Sequence, residues 1–207
     1  PDMKVVQSSL PEVRYANSGK LFYQAWSTFH GAYYCDTPLV IKTRSDESWG
    51  NIEPFVEKVL ANPDQYTSCN IYFKGTQEPL HPSDHMFGCR RDYLLIGLKH
   101  IILRSLNTSI ISGYDFNLDW LGPFAVAEVP MFLAFLWGKG IINKVTPQTM
   151  NQITFDNTEL VNIDEMKPYI WSCTTVNGRK YWTDSSDLYH TYPSLKNKDE
   201  FWTLKYE

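Results

Sequence analysis

The chain has 207 residues, 43% of them hydrophobic and 15% aromatic, with a formal net charge of −4 and a pI near 5.7. That is apolar material for one core in a single domain over residues 1–207, and mild acidity without any Lys/Arg run gives no electrostatic footprint for nucleic acid. Four scattered cysteines, Cys35, Cys69, Cys89 and Cys173, form no C-x-x-C pair and read as reduced thiols, and no segment approaches the ~18 apolar residues of a membrane span, so a soluble, cytoplasmic protein is expected.

Met3 to Gln7 is a short β-type run followed by a polar loop through Gly19. From Lys20 to Cys35 the apolar positions Leu21, Phe22, Ala25, Trp26, Phe29, Ala32 and Tyr33 recur at three- and four-residue steps, which predicts an amphipathic helix. Thr37 to Trp49, T-P-L-V-I-K-T-R-S-D-E-S-W, reads as a strand covered on both faces that delivers charge to its tip. A helix over Asn51–Leu60 stops before Asn62-Pro63, and Ser68–Phe73 reads as a further strand. This alternation predicts a parallel or mixed sheet with covering helices. After a loop from Lys74 to Pro82 comes H-P-S-D-H-M-F-G-C-R-R-D, then an apolar helix over Asp92–Leu106 and another over Pro123–Trp137. Beyond it, Gln152–Phe155 and Leu160–Ile163 read as strands, and Tyr169–Val176 with Arg179–Thr183 as a hairpin around Asn177-Gly178. The tail from Ser185 is polar and aromatic, with Asp187, Tyr189, His190, Tyr192 and Trp202.

Three acidic points stand apart: Asp46 with Glu47, Asp84 between Ser83 and His85, and Glu128 in an apolar run. Mg²⁺ and Mn²⁺ take carboxylate oxygens, with phosphate and water completing the shell, and ligands of open α/β sheets sit beyond the carboxyl ends of strands. Asp46 at a strand tip therefore suits a metal contact, with Glu47 assisting. If the strand runs to Asp46, alternation puts Lys42, Arg44 and Asp46 on one face, where the two cations meet phosphate oxygens. Desolvation would raise the pKa of Glu128 and suit it to general-base work, while Asp84 suits a metal contact, a base or a grip on a sugar hydroxyl. The same residues also suit ordinary roles, Ser45 or Asp46 as a helix cap and Asp84 as the cap of a short turn before Phe87. His81, His85 and His190 are further potential ligands, of which His190 joins the expected metal set; the H-x-x-x-H spacing lies in a proline-containing loop and excludes zinc-protease chemistry. P-loop, dinucleotide and serine-hydrolase motifs are absent. Seven Trp and thirteen Tyr supply flat surfaces for sugars or bases, and Tyr181 to Tyr192 has the mixture of a lid.

Taken in order, N-S-G-K-L-F-Y-Q-A-W-S-T, V-I-K-T-R-S-D-E, H-P-S-D-H-M-F-G and A-E-V-P-M-F-L-A-F-L span Asn17 to Leu136. This series resembles the WavE family of lipopolysaccharide and capsule glycosyltransferases. The resemblance implies a GT-A-like α/β fold, with a mixed, mainly parallel central sheet flanked by helices and the hairpin near the C-terminus. It implies transfer of a sugar from a nucleotide-diphosphate donor, a UDP-sugar favoured, to a glycan hydroxyl, assisted by Mn²⁺ or Mg²⁺. In those terms R-S-D, ending in Asp46, stands for the acidic metal motif, and Arg44 and Lys42 face the diphosphate. Gln24, matching a Gln-x-x-Ser helix with Ser27, and Ser83 of the S-D segment contact the donor. Asp84 meets donor sugar or acceptor, and Glu128 deprotonates the acceptor if configuration inverts. The chain departs from a D-x-D pattern in having Arg44 at its first position. It also has fewer strand–helix units before this motif than a full GT-A half, as in a pared-down fold or a chain that begins inside a longer protein. Two other classes fit the same residues: a non-catalytic carbohydrate-binding or assembly module, and a metal-dependent phosphoesterase using Asp46, Asp84 and Glu128.

Overall fold

The structure is a computed structural model and describes residues 19–44, 47–107, 111–124, 127–176, 179–184 and 194–203. Among them are the helices α1 (Gly19–Tyr33), α2 (Glu53–Ala61), α3 (Arg91–Ser105), α4 (Glu128–Gly138), α5 (Met150–Asn157) and α6 (Ile163–Met166). The strands are β1 (Leu39–Lys42), β2 (Glu47–Trp49), β3 (Tyr66–Cys69), β4 (Phe87–Arg90), β5 (Thr158–Val161), β6 (Pro168–Val176) and β7 (Arg179–Asp184). The chain divides into two compact units, Pro1–Val40 with Cys89–Ile153 and Ile41–Gly88 with Thr154–Glu207, and it passes from one to the other within β1, β4 and α5.

The first unit is helical. α1 buries Phe22, Ala25 and Ala32, α3 buries Leu94, Leu98, Ile101 and Ile102, and α4 buries every residue from Pro130 to Leu136. α3 and α4 meet backbone to backbone. A Cβ added to Gly97 would lie 1.9 Å from the Ala134 carbonyl oxygen, and one on Gly138 1.9 Å from that of Tyr93, so only glycine permits this approach. Arg91 closes the end of α1, its guanidinium donating to the Ala32 and Tyr33 carbonyls at 2.8 Å each. These carbonyls have no acceptor role inside the helix, and a cation suits the negative end of its dipole. α4 begins five residues later than its Gly-Pro signal suggests, because Pro123 is bridged to Ser112 and the Phe124 N–H donates to Ile111.

The second unit carries two sheets. One has the order β1-β4-β3-β5: β3 runs parallel to β5 (Tyr66↔Thr158 to Cys69↔Val161) and antiparallel to β4 (Thr67↔Gly88, Ser68↔Phe87). Pro38 meets Arg91 at one end of the β1–β4 pair and Lys42 meets Asp84 at the other, so β1 opposes β4 and points the same way as β3 and β5. The sheet is thus mixed, with the carboxyl ends of β1, β3 and β5 on one edge. α2 packs its buried Phe55 and Val59 on the side of β3, β5 and α6. The other sheet is β2-β6-β7, all antiparallel, and its β6–β7 hairpin closes at Val176↔Arg179 as the Asn177-Gly178 signal predicts.

The expected α/β organisation with a mixed sheet is present, but the sheet is not mainly parallel, since β1–β4 and β4–β3 are antiparallel and β3–β5 parallel; α1, α2 and α3 lie within two residues of their predicted spans. Three further expectations change, and one strand falls where no element is predicted. The single strand over Thr37–Trp49 is two short strands in different sheets, and β1 buries only Val40, so it is not covered on both faces. β3 lies at Tyr66–Cys69 because the chain turns at Asn70. Gln152–Phe155 belongs to a helix, α5, whose first bonds run from Met150 to Thr146 and from Ile153 to Thr149. β4 lies in a segment whose sequence, F-G-C-R, carries no strand signal. Met3–Gln7, Asn177-Gly178 and Ser185 to Pro193 lie outside the described residues.

Candidate functional site

The carboxyl edge of β1, β3 and β5 gathers most of the charge that the second unit keeps from water. Lys42, the last residue of β1, lies 5.7 Å from the centre of the Phe87 ring and donates from Nζ to the backbone carbonyl of Asp84. Burial lowers its pKa from the ordinary 10.5, opposed by the nearby Asp84 and Glu47 carboxylates. Glu47 opens β2 with its side chain fully shielded. Its Oε1 accepts from His85 Nδ1 and faces Arg44 Nε at 3.3 Å, while its Oε2 has no hydrogen-bond partner among the described residues. A buried carboxylate oxygen without a partner costs free energy unless something supplies the missing contact.

His85 is 5% exposed, and its backbone N–H donates to Ser83 Oγ at 3.2 Å. The same hydroxyl receives the Cys69 thiol at 3.4 Å, and the Ser83 carbonyl receives the Ser68 hydroxyl at 3.2 Å. Ser83 therefore works inward, tying the loop before β4 to the end of β3. Burial pushes the Cys69 thiol up to about 11, against a weaker opposing effect of the Ser83 bond, so it stays protonated and inert at neutral pH.

Asn70 fixes the edge itself. Its amide donates to the Leu195 carbonyl at 2.9 Å and to Asn162 Oδ1 at 3.3 Å, and its Oδ1 accepts the Ile163 N–H at 2.9 Å. The ends of β3 and β5 and the segment at Leu195 are thereby locked to one side chain. The turn that follows, Asn70–Phe73, is closed by the Phe73 N–H on the Asn70 carbonyl at 3.1 Å, and its third residue, Tyr72, has φ 58°. Turns place Gly or Asn there; an aromatic residue with this backbone costs about 1–2 kcal/mol. The Tyr72 ring lies 5.9 Å from His85, centroid to centroid, at a tilt of 55°.

Of the residues singled out from sequence, Lys42, Arg44, Glu47, Ser83 and Asp84 come together at this edge. Gln24 lies half-buried on α1, its carbonyl receiving the Ser27 hydroxyl at 3.1 Å, and Glu128 opens α4; both belong to the first unit. Asp46 and His190 lie outside the described residues. The sequence offers His85 only as a potential metal ligand, and Tyr72 carries no local signal of a role. The partner that places His85 is Glu47, 38 residues away, and only the Asn at position 70 hinted at a turn that would hold Tyr72.

Among the described residues, no three or more His, Cys, Asp or Glu side chains are grouped to hold a metal ion, and Glu47 Oε2 is a buried carboxylate oxygen without a hydrogen-bond partner. Nor, among them, is any helix long and apolar enough to cross a membrane. No protein-family model matches the chain, and no curated protein or solved structure matches it either.

Proposed function

We propose that this is a glycosyltransferase of GT-A-like architecture that moves a sugar from a nucleotide-diphosphate donor, a UDP-sugar first, to a hydroxyl of a glycan. The observation that supports this reading is the convergence of Lys42, Arg44, Glu47, Asp84 and His85 at the carboxyl edge of an open α/β sheet, where such folds bind ligands. Lys42 and Arg44 are the two cations suited to the donor's phosphate oxygens, and low water access strengthens the Lys42 contact. A divalent ion held by Asp46 and the spare oxygen of Glu47 would offset charge gathering on the departing diphosphate.

The chain's own residues do the rest. Asp84 grips a sugar hydroxyl, and Glu47 holds the His85 imidazole at Nδ1 so that its orientation is fixed. In the transfer the bond between the anomeric carbon and the diphosphate breaks, the acceptor oxygen bonds that carbon, and its proton passes to a carboxylate.

Calorimetry with UDP-, GDP- and TDP-sugars, with and without Mn²⁺, tests the proposal. One donor should bind, and Lys42→Met with Arg44→Met should weaken it by about tenfold or more. Asp46→Ala should abolish transfer. Absence of binding to every donor, together with binding of free glycans, would replace this reading with the carbohydrate-binding module.

A further inference from the structure

We infer that the outward side of α3, together with the loop that follows it, is a docking surface for an anionic phospholipid bilayer. This face belongs to the first unit, and its role is independent of the donor reading above. α3 reads R-D-Y-L-L-I-G-L-K-H-I-I-L-R-S and is apolar on more than the side it buries. Leu94, Leu98, Ile101 and Ile102 are buried, and α1 and α4 pack on the helix. On the other side Ile96, Lys99, Leu103 and Leu106 follow at steps of three and four residues, so they stand one above the other. Ile96 is 54% exposed, Leu103 53% and Leu106 45%. The outer side of a surface helix is ordinarily polar, and a helix that is apolar all round is ordinarily covered all round.

The loop after α3 brings aromatic residues to the same neighbourhood. His100, four residues after Ile96 and three before Leu103, donates from Nε2 to the Asp115 carbonyl at 2.5 Å, and its ring lies 5.3 Å from that of Phe116. The turn Gly113–Phe116 is thereby fixed beside the exposed row. Tyr114, on that turn, is 71% exposed, the highest value of any large apolar side chain among the described residues. Trp120, 40% exposed, rides on the same closed loop, because the Gly113 N–H donates to the Leu121 carbonyl and the Leu118 N–H to the Gly113 carbonyl, each at 2.9 Å.

Charge decides what covers this face. α3 carries three cations, Arg91, Lys99 and Arg104, against one carboxylate, Asp92, in a chain whose net charge is −4. Asp92 is already held by Arg90 at 2.6 and 2.9 Å, and the Asp115 carboxylate accepts the Ser112 N–H at 2.9 Å within its own turn. Asp119 is the exposed carboxylate of the loop. Lys99 stands in the apolar row and Arg104 beside it, and neither has an ion-pair partner among the described residues. Contact with a second copy about a two-fold axis would gather Lys99 and Arg104 from both molecules on one interface, like charge with like. An anionic bilayer surface accepts all of these groups at once. Aliphatic side chains enter the headgroup boundary, Tyr and Trp sit at its level, and Lys and Arg meet the lipid phosphates. α3 would lie along that surface, since no described helix is long and apolar enough to cross a membrane.

The test is co-sedimentation of the full chain with vesicles of phosphatidylcholine alone and of equal parts phosphatidylcholine and phosphatidylglycerol. The wild type should bind the mixed vesicles at least about tenfold more tightly than the neutral ones, and should lose most of that binding as salt rises from about 0.1 M to about 1 M. Ile96→Gln with Leu103→Gln should weaken it by about tenfold or more and still melt within about 2 °C of wild type, both positions being more than half exposed. Lys99→Glu with Arg104→Glu keeps the apolar row and should weaken binding to the mixed vesicles alone. If the Gln pair melts lower than that, the charge-reversed pair decides. Absence of binding to the mixed vesicles, equal binding to both kinds, or mixed-vesicle binding that either pair of substitutions leaves unchanged would each overturn the docking surface. A concentration-dependent dimer in sedimentation velocity that the Gln pair dissolves, with no vesicle binding, would assign the face to a second copy instead.

Discussion

Two glycine-to-alanine substitutions in helices should move stability in opposite directions. Gly31 lies on an open face of α1, with nothing within 4 Å of an added Cβ, so Gly31→Ala gains only the helix preference of alanine, about 0.5–1 kcal/mol. Gly97→Ala gains the same, but its Cβ would sit 1.9 Å from the Ala134 carbonyl oxygen, 2.4 Å from the carbon and 2.8 Å from the Cα. All three are backbone atoms, so no rotamer change relieves them, and α4 has to retreat by roughly 1.5 Å to restore ordinary contact. That retreat disturbs a helix in which Met131 to Leu136 are each 0% exposed. Overpacking of this kind costs up to about 3 kcal/mol, which leaves Gly97→Ala net destabilised by about 2 kcal/mol. For a chain of this length that is a fall in Tm of roughly 4–8 °C, against a rise of roughly 1–4 °C for Gly31→Ala. Thermal and urea melts by circular dichroism read both. If Gly97→Ala melts at or above wild type, the close approach of α3 and α4 is wrong.

The site yields two further stability tests. Glu47→Gln weakens a buried bond to His85, for about 1.5–3 kcal/mol, and a contact with Arg44 that contributes at most about 1 kcal/mol because that guanidinium is 41% exposed. A net loss of about 2–3 kcal/mol in urea titrations is expected; a change below about 0.5 kcal/mol would remove Glu47 from the centre of the cluster. Lys42 has a folded pKa below its unfolded 10.5, so in the window directly below 10.5 the unfolded chain holds a proton that the folded chain has released. Stability gained from residue 42 therefore rises with pH toward 10.5. Relative to Lys42→Met, the wild type should gain stability between pH 7.5 and pH 10, and a constant or opposite difference in urea midpoints would contradict the buried position of the ammonium.

Much of the fold was legible because its signals are local. The helical steps of α1 and α3, the proline that ends α2 and the Asn-Gly of the hairpin each report on their own neighbours. The misreadings share a different cause: polar atoms buried against partners far along the chain. α5 looks like a strand because Q-I-T-F alternates, yet the residues it buries are Thr154 and Asn157, and the Thr154 hydroxyl accepts the N–H of Leu80, 74 residues away. Tyr66, Thr67 and Ser68 form a wholly buried strand with little aliphatic content, so hydropathy placed β3 too late. In the site, the charge at the end of V-I-K-T-R was evident, whereas the Glu47–His85 pair was not, since it joins two elements whose adjacency the sheet order creates.

The staple between the Asn70–Phe73 turn and the segment at Ser194 and Leu195 sets an order of assembly during synthesis. The Asn70 amide waits for a carbonyl 125 residues downstream, and the Tyr72 N–H for a hydroxyl 122 residues downstream. At about 5–20 residues per second, a ribosome needs roughly 6–25 s to cover that distance. Through that interval the nascent chain carries Lys42, Glu47 and His85 without the clasp that shapes the edge beside them, so the edge takes its final form only when the last of the clasp has emerged.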